Sequence, residues 1–215
     1  VFPELFLSVY PPEDLLLRPS METRLREARA LMASKVASDV LVIIGYPGVR
    51  EGRCYNLAGL LYNGQWEAEY AKQALPNYQV FDEQRYFTPG TETLVYEHKG
   101  AKLGIVICED LWDGAPVKAA AQAGAEVLVS LHASPYHQDK PAERLRLLEE
   151  HAQDTQLPIV YVNTIGGQDE LVFDGGSCCV NASGELQVLA PYWQAGLMPV
   201  QFLQTSATVW EPQAG

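Results

Sequence analysis

Cys108 closes the apolar run Leu103-Gly104-Ile105-Val106-Ile107-Cys108 and is followed at once by Glu109 and Asp110. A thiol at the mouth of a buried strand stands where a nucleophile would be displayed. A free thiol is only weakly ionised at neutral pH, so it needs a base or a cation beside it. No histidine adjoins it in the chain. The sequence instead offers an acid in Phe2-Pro3-Glu4-Leu5 and a lysine in Tyr70-Ala71-Lys72-Gln73. A glutamate can take the thiol proton as general base, and a lysine can hold the thiolate and then a developing oxyanion. Together they would attack a carbonyl, pass through a tetrahedral intermediate, expel an amine and hydrolyse the resulting thioester. That is the chemistry of amide or nitrile cleavage, and it requires the three residues to converge.

Taken singly, each residue has an ordinary explanation. Buried cysteines mostly act as small apolar fillers, and lysines mostly stay solvated. Two features set this trio apart. An apolar core rarely continues into two acids, as it does after Cys108. Glu4 lies between Pro3 and Leu5, and acids are seldom buried unless paired.

The elements that must position these residues follow from periodicity. Residues 20–38 carry Leu25, Ala28, Leu31, Met32 and Val36 near helical spacing, which predicts an amphipathic helix capped by Ser20. Residues 39–46 read as a fully buried strand. Strands at 55–61 and 65–70 flank Asn63-Gly64, a hairpin turn signal, and 93–98 and 101–108 pair about Lys99-Gly100. A helix over 116–123 and a buried strand over 126–132 come next. A helix over 141–154, with Leu145 and Leu148 inward and its charges outward, leads to a strand over 158–163. Residues 171–180 and 185–189 form a last hairpin, and the stretch from Tyr192 onward lacks clear periodicity. Hairpins combined with strand-helix alternation predict an α/β fold of stacked sheets with helices outside, whose site lies at the ends of buried strands.

Composition narrows the function classes. A chain of 215 residues, 47% hydrophobic, can bury one sizeable core. Its net charge of -12 speaks against nucleic acid or an anionic membrane as partner. Cys54, Cys108, Cys178 and Cys179 show no C-x-x-C spacing, and the adjacent pair is poorly placed for an ordinary disulfide. This predicts a reducing, cytoplasmic setting. No apolar run reaches the roughly 18 residues that a membrane span needs, and no signal peptide is read. Other constellations carry less. His132, Ser134, His137 and Asp139 crowd one loop without a G-x-S-x-G elbow. The spacing of His132 and His137 with Cys178 and Cys179 matches no standard zinc site, so no metal is expected. Gly166-Gly167 and Gly175-Gly176 read as turns.

The motifs also carry a resemblance. Phe2-Pro3-Glu4-Leu5, Lys72 and Ile107-Cys108-Glu109-Asp110 resemble the three signatures of the nitrilase superfamily of carbon-nitrogen hydrolases. The stretches 10–16, 75–87 and 163–176 are similar to the glutaminase domains of the bacterial glutamine-dependent NAD synthetase family. That resemblance implies a nitrilase-like αββα sandwich. It implies Glu4 as general base, Lys72 as oxyanion stabiliser, Cys108 as nucleophile and Glu83 as a further acid beside Lys72. Glutamine would be held by Tyr78, Glu109 and Ser134, with Tyr10 and Trp112 lining the pocket. Lys140 matches a basic substrate contact, although Asp139 stands where the family has glycine. Glu109 also has a physical case of its own, since the ammonium of glutamine wants a carboxylate.

By the same resemblance, glutamine hydrolysis needs no cofactor. ATP and Mg would serve a synthetase (ATP-pyrophosphatase) domain that amidates nicotinic acid adenine dinucleotide. Its Ser-Gly-Gly phosphate loop does not occur before Gly215. Residues 1–191 are expected to form the hydrolase domain, N-terminally incomplete and lacking the first strand and helix of the family, with an exposed sheet edge. Residues 192–215 are expected to be an arm or linker, and self-association into a homo-oligomer is expected. Two rivals remain: another carbon-nitrogen hydrolase acting on a free amide, nitrile or carbamoyl compound, and a non-enzymatic domain serving as an assembly interface.

Overall fold

The structure is a computed structural model describing residues 1–215. Two sheets lie face to face with helices on their outer surfaces. The first sheet is an antiparallel meander of β1 (Val42–Arg50), β2 (Arg53–Tyr62) and β3 (Gln65–Ala71). The second contains β4 (Leu94–His98), β5 (Ala101–Ile107), β6 (Val127–His132), β7 (Ile159–Asn163), β10 (Cys178–Val180) and β11 (Leu186–Leu189). Its order is β11-β10-β7-β6-β5-β4, with β5, β6 and β7 parallel.

Side-chain alternation sorts these strands into layers. Ile43, Ala58, Leu60, Ile105, Ile107, Val129 and Leu131 point between the sheets and form the central core, which also contains Cys108. Their neighbours Val42, Ile44, Tyr46 and Leu57 point the other way, toward Leu25 of α1 (Pro19–Lys35). On the far side Val106, Leu128, Ile159 and Tyr161 meet the helices. These are α2 (Glu109–Asp113), α3 (Ala115–Gln122) and α4 (Lys140–Thr155). The stacked αββα sandwich that the resemblance implies is the observed fold.

Three hairpins turn through pairs of left-handed residues: Glu51-Gly52, Asn63-Gly64 and Lys99-Gly100, all with positive φ. That backbone matches the right-handed twist of the flanking strands.

Several expectations need correction. Ser20 does not cap α1; Arg18 is the N-cap residue, without a side-chain bond, and Pro19 opens the helix with its preset φ. Residues 171–180 are not one strand. Gly175 and Gly176, both at positive φ, break the run. Residues before the break form β9 (Leu171–Asp174), paired with β8 (Ile165–Gln168), and β10 follows. The charges of α4 do not all face outward. Arg144 lies on the same stripe as Leu148 and Ala152 and is buried against Asp174. The stretch from Tyr192, which shows no clear periodicity in sequence, contains β12 (Val200–Gln204) and β13 (Trp210–Ala214), paired as a hairpin. Trp210 ties it to the body by donating from Nε1 to Glu126 at 3.1 Å.

The segment that carries Glu4 runs along β1. Phe2 N–H donates to Ile43 O at 2.8 Å, and Gly45 N–H donates to Pro3 O at 3.1 Å. Gly45 has no side chain because none would fit. A Cβ there would lie 2.7 Å from the Glu4 Cα and 2.5 Å from Pro3 O.

Candidate active site

Lys72 follows the last residue of β3, in the seam between the two sheets, and is completely buried. Its ammonium donates to Glu4 Oε1 at 2.7 Å and to Glu83 Oε1 and Oε2 at 2.8 and 2.9 Å. Glu4 is held independently: Asn56 Nδ2 donates to Oε1 at 2.8 Å and Ala133 N–H to Oε2 at 2.9 Å. Glu83 receives the Tyr10 hydroxyl at 2.9 Å. Tyr10 is itself buried.

Cys108 stands between β5 and α2 with φ 44° and ψ -96°. A non-glycine residue held at positive φ carries strain that the surroundings must sustain. The restraint is visible on both sides of the sharp turn. Cys108 N–H donates to Leu131 O at 2.9 Å, and Asp110 reaches back to Ile107 N–H at 2.9 Å. The end of β6 therefore holds both partners, with Leu131 gripping Cys108 and Ala133, two residues on, gripping Glu4.

Burial would lower the Lys72 ammonium, but Glu4 and Glu83 outweigh it and carry its pKa well above the ordinary lysine value. Lys72 is therefore a fixed cation. Burial and the Glu4 charge push the Cys108 thiol up, against the pull of Lys72. The resting sulfur is a thiol, and it must lose its proton during reaction. Burial pushes Glu83 up to about 7, opposed by Lys72 and assisted by Glu4. Two carboxylates around one ammonium leave one negative charge too many for a dry site, and Glu83 is where a proton goes to relieve it. The other thiols lie outside this field: burial raises Cys54 to about 11 and Cys178 and Cys179 to about 12.

The Tyr78 hydroxyl donates to Glu109 at 2.9 Å. Both are accessible, and Tyr78 is 49% exposed. Lys140 Nζ sits 3.8 Å from the centre of the Trp112 ring, a cation–π contact. The two pairs present a carboxylate with a phenol and a cation with an aromatic ring. Ser134 behaves differently. It is buried, its Oγ accepts from Arg144 Nε at 3.3 Å, and its N–H donates to Asn163 Oδ1 at 2.9 Å.

The structure thus brings Glu4, Lys72, Glu83 and Tyr10 into one network beside Cys108, and pairs Tyr78 with Glu109 and Trp112 with Lys140. Sequence reading missed Asn56, Asp110 and the Arg144–Asp174 pair, which is bidentate at 2.7 and 2.9 Å. Signals existed for two of them. Asn56 interrupts an apolar strand, and Arg144 falls four residues before Leu148 on the inward stripe of α4.

A carbon-nitrogen hydrolase family profile matches residues 1–210. The glutamine-dependent NAD(+) synthetase of Acinetobacter baylyi is 40% identical over 203 residues, covering 94% of this chain and 37% of that protein. The structure of glutamine-dependent NAD+ synthetase from Acinetobacter baumannii, in complex with ADP, superposes with a TM-score of 0.93 at 39% identity. It covers all of this chain and 40% of that one. An amidase variant from Nesterenkonia superposes with a TM-score of 0.78 at 25% identity over 88% of this chain and 72% of its own. That amidase carries the acetamide moiety of fluoroacetamide covalently at its active-site cysteine. The chain spans well under half the length of the synthetases that it matches.

Proposed function

The chain belongs to the carbon-nitrogen hydrolase family, and from that premise we propose that it hydrolyses the side-chain amide of glutamine to glutamate and ammonia. The single observation that carries this reading is the dry Glu4–Lys72–Glu83 network set beside a thiol held in a strained turn. Glu4 takes the Sγ proton as the sulfur attacks the amide carbon. The oxyanion that forms is met by Lys72, which can release one of its two bonds to Glu83 and keep the other. Glu4 returns the proton to the leaving nitrogen, the C–N bond breaks and ammonia departs. Water then attacks the thioester, giving its proton to Glu4, and glutamate leaves as the thiol is restored. The acetamide adduct on the cysteine of the Nesterenkonia amidase supports the same role for Cys108.

Glutamine is favoured over other amides by the mouth. Glu109 and Tyr78 receive its ammonium, Lys140 its carboxylate, and Trp112 its methylene chain, while Ser134 shapes the turn beneath. This hydrolysis needs no metal or cofactor, since the site supplies base, cation and nucleophile.

The ammonia would pass to a synthetase (ATP-pyrophosphatase) domain, which would use ATP and Mg to amidate nicotinic acid adenine dinucleotide. The support is the match to glutamine-dependent NAD(+) synthetases over part of their length. Within that reading, residues 1–191 form the hydrolase unit and 192–215 lead toward the synthetase. Leu197 is 93% exposed and Trp193 55% exposed, which suits a segment that packs on a domain or a second copy in a homo-oligomer. No helix is long and apolar enough to cross a membrane. The four unpaired thiols suit a reducing cytoplasm.

The test is ammonia and glutamate release from glutamine, beside asparagine and acetamide, with Cys108→Ala as control. Glutamine turnover lost in Cys108→Ala is the expected result. Cleavage of acetamide but not glutamine would assign another amidase, and no turnover of any amide would favour an assembly role.

A further inference from the structure

Asp110 is fully buried and takes no part in the steps above, yet its carboxylate accepts four hydrogen bonds. Oδ2 receives Ile107 N–H at 2.9 Å and the Tyr70 hydroxyl at 2.8 Å. Oδ1 receives Gln73 N–H at 3.0 Å and Ala74 N–H at 2.8 Å. These donors come from both sheets. Ile107 ends β5, one residue before Cys108, and Gln73 and Ala74 follow Lys72 at the end of β3.

The backbone explains why a carboxylate is needed at this point. The β4 ladder stops where Leu94 faces Ile105, so the Ile107 N–H projects beyond its neighbouring strand. The β3 ladder likewise stops at Ala71. Without Asp110 three backbone N–H groups, that of Ile107 buried and those of Gln73 and Ala74 half-buried, would lose their partners, at greatest cost for Ile107. One aspartate gathers all three and adds a phenol. Its two oxygens thereby tie the chain that carries the nucleophile to the chain that carries the cation.

We propose that Asp110 is a positioning residue, a clamp across the two sheets that fixes Cys108 relative to Lys72. The proposal rests on the glutaminase reading for its kinetic readout but not for its chemical one. Asp110 touches neither substrate nor sulfur in this role. Asp110→Asn keeps size and one acceptor oxygen and turns an amide N–H₂ toward at least one donor. The turn at Cys108, already strained, then loses its restraint, and small displacements of reacting groups cost about 10²-fold in rate.

Asp110→Asn and Tyr70→Phe would be compared with the parent by steady-state glutamine hydrolysis, by thermal unfolding, and by iodoacetamide labelling of Cys108 followed by peptide mapping. The expected result for Asp110→Asn is a fall of about 10² in kcat with KM within about threefold. Labelling of Cys108 should quicken about tenfold as the sulfur escapes the burial and the Glu4 charge that hold it protonated. A folded Asp110→Asn protein with parental kcat and parental labelling would overturn the clamp. Should that variant fail to fold, Tyr70→Phe, which removes one donor, still decides it. A several-fold loss in kcat at unchanged KM supports the clamp, and parental kcat overturns it. An inactive parent would overturn the glutaminase reading instead, and the labelling rates would then judge the clamp alone.

Discussion

Replacing Lys72 by Met removes a charge but nearly keeps the volume, so its consequences measure what the buried cation does. In the parent the ammonium is a constant across neutral pH, because its pKa is raised well above the ordinary value. Glu83 is the titrating member, pushed up to about 7 by burial, against Lys72 and with Glu4. A carboxyl whose folded pKa is raised binds more protons folded than unfolded, so stability falls as pH rises from its unfolded value. In the parent this fall should end near pH 7. Without Lys72 the opposing pull is gone, the carboxyl pair keeps its extra proton to higher pH, and the fall continues. One extra proton corresponds to about 1.4 kcal/mol per pH unit. Between about pH 7 and about pH 9 the gap between variant and parent should therefore widen by about 3 kcal/mol. That is close to the 3–5 kcal/mol typical of breaking a buried pair from one side. Urea unfolding at several pH values from about 6 to about 9 gives the gap directly. A gap that stays constant would refute the argument, because the lost charge would then not be coupled to the carboxylates. Glutamine turnover should drop about 10²–10³-fold in the same variant, as for the loss of one oxyanion donor.

Cys108→Ala should abolish glutamine hydrolysis while leaving the unfolding transition near the parent's, and any turnover by the pure folded variant would remove Cys108 as nucleophile. Gly45→Ala should displace the Glu4 segment, since a Cβ would press on the backbone of Pro3 and Glu4. A loss in kcat of about 10²-fold is expected in a protein that still folds, and parental kinetics would show that the segment can shift without harm. Glu109→Gln should raise KM for glutamine about 10- to 100-fold, as expected for a charge-assisted contact, with a smaller change in kcat. An unaltered KM would take Glu109 out of the substrate site.

The sequence made the fold legible where pattern and local chemistry agree. Asn63-Gly64 and Lys99-Gly100 demand two left-handed residues, and both became hairpin turns. Strands from Val42 to Tyr161 alternate between two buried faces, so their apolar runs read as strands, though not which sheet each joins. The failures have physical causes as well. Ser20 is a good capping residue, but Pro19 beside it already fixes the start of the helix. The run 171–180 looks continuous because its breakers are two glycines that could equally sit in a bulge. Arg144 was read as solvated because its partner Asp174 lies 30 residues away. Residues 200–214 carry little periodicity, and their hairpin is held partly by a single indole donating to Glu126.

The site was legible in its residue types but not in its proton inventory. Glu4, Lys72 and Cys108 could be named from chemistry, because an unactivated thiol implies a base and a cation. What no spacing discloses is that Lys72 meets two carboxylates, all three buried. That fact decides the chemistry. With one carboxylate the ammonium would be neutralised and the pair inert, a structural ion pair that holds the sheets together. With two, the network carries a surplus negative charge that burial makes expensive, and a proton is drawn in to cancel it. Burial pushes Glu83 up to about 7, so this acid can hold that proton near neutral pH. The two acids together keep Lys72 charged against its burial. A buried cation shared by two acids is therefore a different device from a buried ion pair. It explains why a site that begins with a protonated thiol can still deliver a nucleophile without a histidine.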